Sequence, residues 1–120
     1  MAFDPYLAER IERILHEKKV AFTAKKMMGG YLFSVDDKML CGIHIDKKLG
    51  DSLLMARIGE EAYTAHIDRE ECLPMDFTGR PMRGYIFVTP EGFDLEEDLA
   101  YWVQLALTFN PLAKSSKRSK

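Results

Sequence analysis

The chain has 120 residues, a length that fits one domain with a single hydrophobic core. Its apolar fraction of 47% and charged fraction of 30% are ordinary for a globular protein, and no run approaches the ~20 apolar residues that span a bilayer. Asp4, Glu9 and Glu12 interrupt the N-terminus, which argues against a secretory signal, so a cytoplasmic location is expected. The two cysteines, Cys41 and Cys72, are too few for a disulfide framework and are predicted to be free thiols.

The net charge of −2 is unevenly distributed along the chain. Residues 1–112 hold all 19 Asp and Glu against 13 Lys and Arg, a net charge of −6, and we expect them to form one domain. Residues 113–120 are predicted to be a disordered basic tail that carries Lys114, Lys117, Arg118 and Lys120. The tail is either a solubilising segment or a weak, salt-sensitive site for nucleic acid or an anionic membrane surface.

The periodicity of apolar residues predicts three helices and five strands. Residues 4–19 form a helix that Asp4 caps and Pro5 begins, with an apolar stripe of Leu7, Ile11, Ile14 and Leu15. Strands follow over residues 23–28, 31–35, 38–45 and 52–58, then a helix over 59–69, a mostly irregular stretch over 72–84, a strand over 85–89, and a last helix that ends at Asn110-Pro111. Its start at residues 94–97 looks like a capping box with an acidic first turn.

The connections between these strands are short and predict an antiparallel sheet. Gly29-Gly30 and Asp36-Asp37 are typical hairpin turns. The element order is α-β-β-β-β-α-β-α, which indicates an α+β fold of two layers, with helices packed against an antiparallel sheet of about five strands. In the third strand, period-2 alternation places Met39, Cys41, Ile43 and Ile45 on one face and Leu40, Gly42 and His44 on the other.

The residues with chemical potential do not form a recognisable catalytic or metal-binding pattern. Cys41 and His44 form a C-x-x-H, but residues three apart on a strand point to opposite faces and do not share one ion. Cys72 is expected on a loop among carboxylates, which raise the pKa of a thiol. The histidines fall on three different elements, and the chain has no phosphate-binding or dinucleotide-binding loop. We therefore predict no catalytic residues, no metal and no cofactor, with a cysteine enzyme as the least favoured alternative.

Two glycine-containing loops carry the residues that most resemble a binding surface. Gly79 to Pro81 are predicted to form a turn, with Gly84 as the hinge into the following strand, and Arg80 and Arg83 are either solvated turn residues or an anion-recognising fork. Met27 and Met28, beside Tyr31, Phe33 and Met39, form either an adaptable binding surface or a methionine-rich core. The candidate interaction surface that follows consists of Lys25, Lys26, Met28, Arg80 and Arg83.

These landmarks together resemble the N-terminal domain of the TfoX/Sxy family of competence regulators. The resemblance is carried by the leading helix with Leu7-Ala-Glu-Arg-Ile11, by Lys25-Lys26-Met27 with Gly29-Gly30, and by Cys41-Gly42. It continues through Asp76-Phe77-Thr78-Gly79-Arg80-Pro81-Met82 with the Gly-Tyr strand and ends in the helix with Trp102. Met28 departs from the Phe that the family usually has there.

The resemblance implies a bacterial, non-enzymatic α+β domain that is similar in fold to the small chaperones of bacterial secretion systems. Longer members look like regulators of competence-gene transcription and carry a second, helical domain, so we expect a stand-alone domain here. The predicted role is a regulatory or protein-interaction domain that binds an unknown protein partner, with self-association as a homodimer as a further option. The alternative is weak nucleic-acid association through the tail; no membrane partner or small-molecule substrate is predicted.

Overall fold

The computed structural model describes residues 3–27, 29–47, 50–74 and 84–113. These residues form three helices and six strands, here numbered in chain order. The elements are α1 (Pro5–Glu17), β1 (Thr23–Met27), β2 (Gly30–Val35), β3 (Lys38–Asp46), β4 (Asp51–Arg57), α2 (Gly59–His66), β5 (Cys72–Pro74), β6 (Tyr85–Val88) and α3 (Glu96–Phe109). Single 3₁₀ turns follow β6 at Pro90–Gly92 and α3 at Asn110–Leu112. None of the helices in these ranges is long and apolar enough to cross a membrane.

The strands form one sheet in the order β1-β2-β3-β4-β6-β5, and every neighbouring pair is antiparallel. The predicted α+β fold, with helices packed against an antiparallel sheet, is confirmed. The structure has one strand more than predicted. This additional strand is β5, which lies in a stretch that was predicted to be mostly irregular. Its three residues are too few to show alternation, and Pro74 is a residue that sequence rules assign to strand ends and edges.

The predicted N-cap of α1 is confirmed, because the Oδ1 of Asp4 accepts a hydrogen bond from the Tyr6 amide at 3.0 Å.

All three helices contribute to one hydrophobic core on one face of the sheet. The core joins side chains of the helices and of alternate strand positions, among them Leu7, Ile11, Leu15, Phe33, Cys41, Leu54, Ile86, Val88, Leu99, Trp102 and Val103. We call this the helix-covered face.

The face assignment in β3 corrects the predicted alternation. The register between β2 and β3 shifts at Phe33/Ser34: Phe33 pairs with Cys41 and Ser34 pairs with Met39, which leaves Leu40 as the extra residue of a β-bulge. Leu40 therefore packs in the same cluster as Cys41, and Met39 packs against a smaller cluster on the opposite face. The predicted positions of Met39 and Leu40 were both wrong because a bulge reverses the alternation on one side of it.

The first hairpin differs from the predicted one at Gly30. Gly30 pairs with Met27 and belongs to β2, while Gly29 has a φ of 79° and lies in the turn. A Cβ at Gly30 would lie 2.6 Å from the Ile43 carbonyl oxygen, so this strand position requires glycine. The predicted turn at Asp36-Asp37 is confirmed, because Val35 pairs with Lys38 and both aspartates have positive φ, as type I′ hairpins require.

The last helix begins at Glu96, and the capping box predicted at residues 94–97 is wrong. Leu95 is the N-cap residue, and no side chain caps the helix. The backbone just before α3 is instead held by Arg10 of α1, whose Nη2 donates to the carbonyl oxygens of Phe93 and Asp94 at 2.9 and 3.1 Å. An arginine that binds both carbonyls fixes this segment in a non-helical path.

Candidate interaction surface

The β1 edge of the sheet bears two of the predicted surface residues. Within the described ranges, β1 pairs with β2 alone, so its other side is an open edge. Lys25 and Lys26 are exposed at the centre of the strand and have no ion pair with any described residue. Lys25 pairs with Leu32, whereas Lys26 pairs with Tyr31, so the two ammonium groups leave the strand on opposite faces. We call this strand with its two lysines the β1 edge.

The opposite edge of the sheet, formed by β5, offers fewer backbone N–H and C=O groups to another strand. Among the described residues, β5 has three residues against five in β1, and the last of the three is Pro74, which has no N–H to offer a further strand. The two edges therefore differ in their capacity to pair with another chain.

A shallow groove of about 280 Å³ lies beside the β1 edge. It runs across the face of the sheet that the helices do not cover. Its lining is Thr23, Ala24, Lys25, Leu32, Ser34, Asp37 and Met39. Leu32 and Met39 make part of this lining apolar, Lys25 supplies a cation, and Asp37 supplies a carboxylate.

The face with the groove also carries its own apolar cluster. Leu53, Met55 and Phe87 are its buried members, and Leu32, Met39, Leu73 and Tyr85 pack against them. This cluster contains strand residues only, in contrast to the core on the helix-covered face. His44 lies on this face with its ring centroid 5.5 Å from that of Phe87. Cys41 and His44 are thus on opposite faces, as predicted.

Both thiols are in environments that suppress their reactivity. Burial raises the pKa of Cys41 to about 12. Cys72 lies in β5 and not on the predicted loop; burial first and then the neighbouring Glu71 carboxylate raise its pKa to about 11, against a smaller lowering by Arg69. The predicted direction of the Cys72 shift is confirmed. Thiols that stay protonated are poor nucleophiles and poor metal ligands.

His66 has both ring nitrogens engaged, a feature that the sequence did not indicate. Its Nδ1 lies 2.7 Å from the Ala62 carbonyl oxygen and therefore donates, and its Nε2 lies 2.6 Å from the Tyr101 hydroxyl, which donates to it. The Arg69 guanidinium lies over the Tyr101 ring at 5.7 Å. Because 35 residues separate His66 from Tyr101, only the packing of α2 on α3 brings them together. This histidine stabilises the packing of two helices and has no free nitrogen for proton transfer.

The comparisons with known proteins fit the fold. A model of the TfoX N-terminal domain matches residues 17–110. The chain belongs to the TfoX N-terminal domain family. The matched range contains all six strands together with α2 and α3. The comparison with curated proteins found no match, and neither did the comparison with solved structures. The likeness to secretion chaperones therefore stays a prediction.

The TfoX N-terminal domain is not a known enzyme family, and the described part of this member contains no group of three His, Cys, Asp or Glu side chains that could hold a metal ion. In the same ranges, every buried side-chain nitrogen or oxygen has a hydrogen-bond partner, so no orphaned polar atom indicates a ligand. Of the predicted surface residues of this TfoX N-terminal domain, Lys25 and Lys26 lie on β1 with their side chains on opposite faces of the sheet. Met28, Arg80 and Arg83 lie outside the described residues, as do Lys114, Lys117, Arg118 and Lys120 of the tail.

Proposed function

We propose that this TfoX N-terminal domain is a non-enzymatic protein-interaction module with a regulatory role, and that it binds a partner protein through the β1 edge. The observation that carries the proposal is the contrast between the two sheet edges within the described residues: β1 presents five residues and two exposed lysines, and β5 presents three residues, the last of which is a proline. Alternate N–H and C=O groups of an edge strand point away from the sheet, where an extended segment of another chain can bind them.

The non-enzymatic part of the proposal is supported by the state of the titratable groups. Cys41 and Cys72 are buried thiols with raised pKa values, and both nitrogens of His66 are engaged. His16 lies exposed on α1, far along the chain from the other two histidines, and pairs edge-on with the Phe22 ring. A nucleophile with an adjacent base, which covalent catalysis requires, is not found among the described residues.

The proposal is tested by photo-crosslinking in cells of the source organism. We would place p-benzoylphenylalanine at Thr23, which is exposed on the β1 edge, and, as the matched control, at Thr64, which is exposed on α2. The Thr23 variant is expected to form an adduct with one discrete protein that the Thr64 variant does not form. The adduct should resist nuclease and should decrease when Lys25→Gln and Lys26→Gln are added. Absence of a Thr23-specific protein adduct would contradict the proposal.

Nucleic-acid association through the tail is separated from this proposal by fluorescence anisotropy of labelled DNA and RNA. The full chain is compared with a variant in which Lys114, Lys117, Arg118 and Lys120 are all changed to Gln, over a salt series. We expect no binding of the full chain near ~10 μM at physiological salt, because four charges without aromatic residues make a weak site. Binding that survives both the salt and the tail substitutions would replace the proposal with a nucleic-acid function of the body.

A further inference from the structure

The hairpin at the end of the sheet is a basic segment in an acidic protein. Residues 23–35 contain two lysines and no Asp or Glu, although residues 1–112 carry a net charge of −6. These two lysines, Lys25 and Lys26, are exposed near the centre of β1. A strand that pairs with β1 therefore meets two ammonium groups, one on each face of the sheet. Charge complementarity favours an acidic strand at this place.

The same charges disfavour a second copy of this chain as the occupant. Antiparallel pairing of all five β1 residues with the β1 strand of another copy has one register. It places Lys25 opposite Lys25 of the other copy and Lys26 opposite its Ala24. Like charges directly opposite each other destabilise a strand pair, and no carboxylate in β1 offsets them. Self-pairing through this edge is thus the less favourable use of it.

We infer that β1 binds an extended acidic segment of a partner protein as a seventh strand, an inference that rests on the proposed function. Because successive residues of a strand point to opposite faces, one acidic residue is needed opposite Lys25 and the next one opposite Lys26. The segment therefore contains two consecutive acidic residues.

The groove adds an apolar requirement to this segment. A partner residue opposite Thr23 lies on the same face as the one opposite Lys25, two positions away, at the rim of the groove that Leu32 and Met39 line. An apolar side chain at that position packs over Thr23 toward the groove. In an antiparallel partner strand the pattern is acidic-acidic-x-apolar, and in a parallel one it is apolar-x-acidic-acidic.

The inference is tested by titrating the ¹⁵N-labelled full chain with short synthetic peptides. The probe is acetyl-Ser-Thr-Glu-Glu-Thr-Val-Ser-amide, and the matched peptides carry Gln-Gln or Lys-Lys in place of Glu-Glu. The acidic peptide should shift the amide signals of Thr23–Met27 and should protect from hydrogen exchange those amides that point away from β2. The Gln-Gln peptide should bind about fivefold more weakly, the loss expected for two exposed ion pairs. Equal affinity for both peptides, or shifts that do not include β1, would overturn the inference.

A charge swap makes the test independent of how tightly one peptide binds. The Lys25→Glu/Lys26→Glu chain should prefer the Lys-Lys peptide to the Glu-Glu peptide by about fivefold, since the same two pairs are restored with reversed sign. The control is Arg13→Glu/Lys47→Glu, which makes the same change in net charge at exposed positions on α1 and after β3. That variant should keep the preference of the natural chain. If the control variant loses as much affinity for the acidic peptide as the Lys25→Glu/Lys26→Glu variant does, the effect comes from net charge and not from β1.

The two proposals fail in distinguishable ways. A Thr23-specific protein adduct without binding of the acidic peptide would leave the interaction function standing and overturn the acidic-strand inference. If the amide signals of β1 shift with protein concentration in the absence of peptide, the β1 edge binds a second copy of the chain. If an oligonucleotide shifts the same amide signals more strongly than the peptide does, Lys25 and Lys26 bind nucleic acid. Each of the last two results overturns the inference.

Discussion

Arg10 is the single residue that ties the first helix to the beginning of the last one. It is buried, and its Nε lies 3.1 Å from the Glu96 carboxylate while its Nη2 binds two backbone carbonyls before α3. Arg10 lies outside the apolar stripe that the sequence predicts for the first helix, and arginine is rarely buried without a partner. The sequence does not indicate a partner for Arg10, because only the fold brings the Phe93 and Asp94 carbonyl oxygens next to it.

Replacing Arg10 tests this role directly. We expect Arg10→Met to lower the free energy of unfolding by about 2 kcal/mol, because two carbonyl oxygens lose their donor. Urea unfolding followed by circular dichroism measures the change. Arg13→Met on the same helix is the matched control and should stay within about 0.5 kcal/mol of the natural chain, as Arg13 is exposed. Equal effects of the two substitutions would contradict the assigned role of Arg10.

The His66–Tyr101 hydrogen bond is predicted to stabilise the packing of α2 on α3. Tyr101→Phe removes the donor at 2.6 Å and leaves a mostly buried Nε2 without a partner, which should cost about 1 kcal/mol. Chemical denaturation measures the loss. Tyr6→Phe is the control, because the Tyr6 side chain is 64% exposed. A Tyr101→Phe chain as stable as the natural one would show that the bond contributes nothing.

The two thiols give a prediction that depends on pH. The pKa of Cys72 is raised from 9.0 to about 11, so the folded thiol has about a hundredfold less thiolate at pH 8 than an ordinary cysteine. Ellman's reagent should react slowly with the native chain and quickly with the unfolded chain. Above pH 9 the unfolded state releases thiol protons that the folded state keeps, so stability should fall as the pH rises from about 9 toward 11. One thiol that reacts at the unfolded rate would contradict this account.

At the scale of elements, the β-bulge in β3 decides which side chains enter the core. Leu40 is 1% exposed in the helix-covered core, whereas Met39 is half-buried against the opposite cluster. We expect Leu40→Ala to cost about 3 kcal/mol and Met39→Ala about 1 kcal/mol, because the first leaves a cavity in a closed core. Thermal or urea unfolding of the two variants compares them. A larger loss for Met39→Ala would place the bulge elsewhere.

The successes and failures of the sequence-based prediction have physical causes. The helix start at Asp4 and the turn at Asp36-Asp37 depend on contacts within a few residues, so the local sequence predicts them. The bulge depends on the register between two strands, and β5 exists because β6 provides a partner for it. Neither is encoded within one segment. Of the candidate surface, the sequence indicated Lys25 and Lys26 but not that they lie on the edge, because strand order follows from the whole sheet.

At the scale of the molecule, the faces of the sheet and its two edges differ in how accessible they are. The three helices cover one face, and the second apolar cluster lies on the other. At one side of the sheet, the described residues of the edge strand β5 number three and include a proline. Within the described part of the chain, the β1 edge combines an unpaired side of the backbone with two cations in an acidic protein. This arrangement is the physical basis for the proposed binding of an acidic strand by a member of the TfoX N-terminal domain family.

The central claim is that the β1 edge is where a partner protein binds. Hydrogen–deuterium exchange of the full chain, alone and with the protein retrieved by crosslinking at Thr23, tests it most directly. We predict that residues 23–27 gain the strongest protection in the complex, because their outward N–H groups become paired. Strongest protection on the outer faces of α1 or α3, with residues 23–27 unchanged, would contradict the claim.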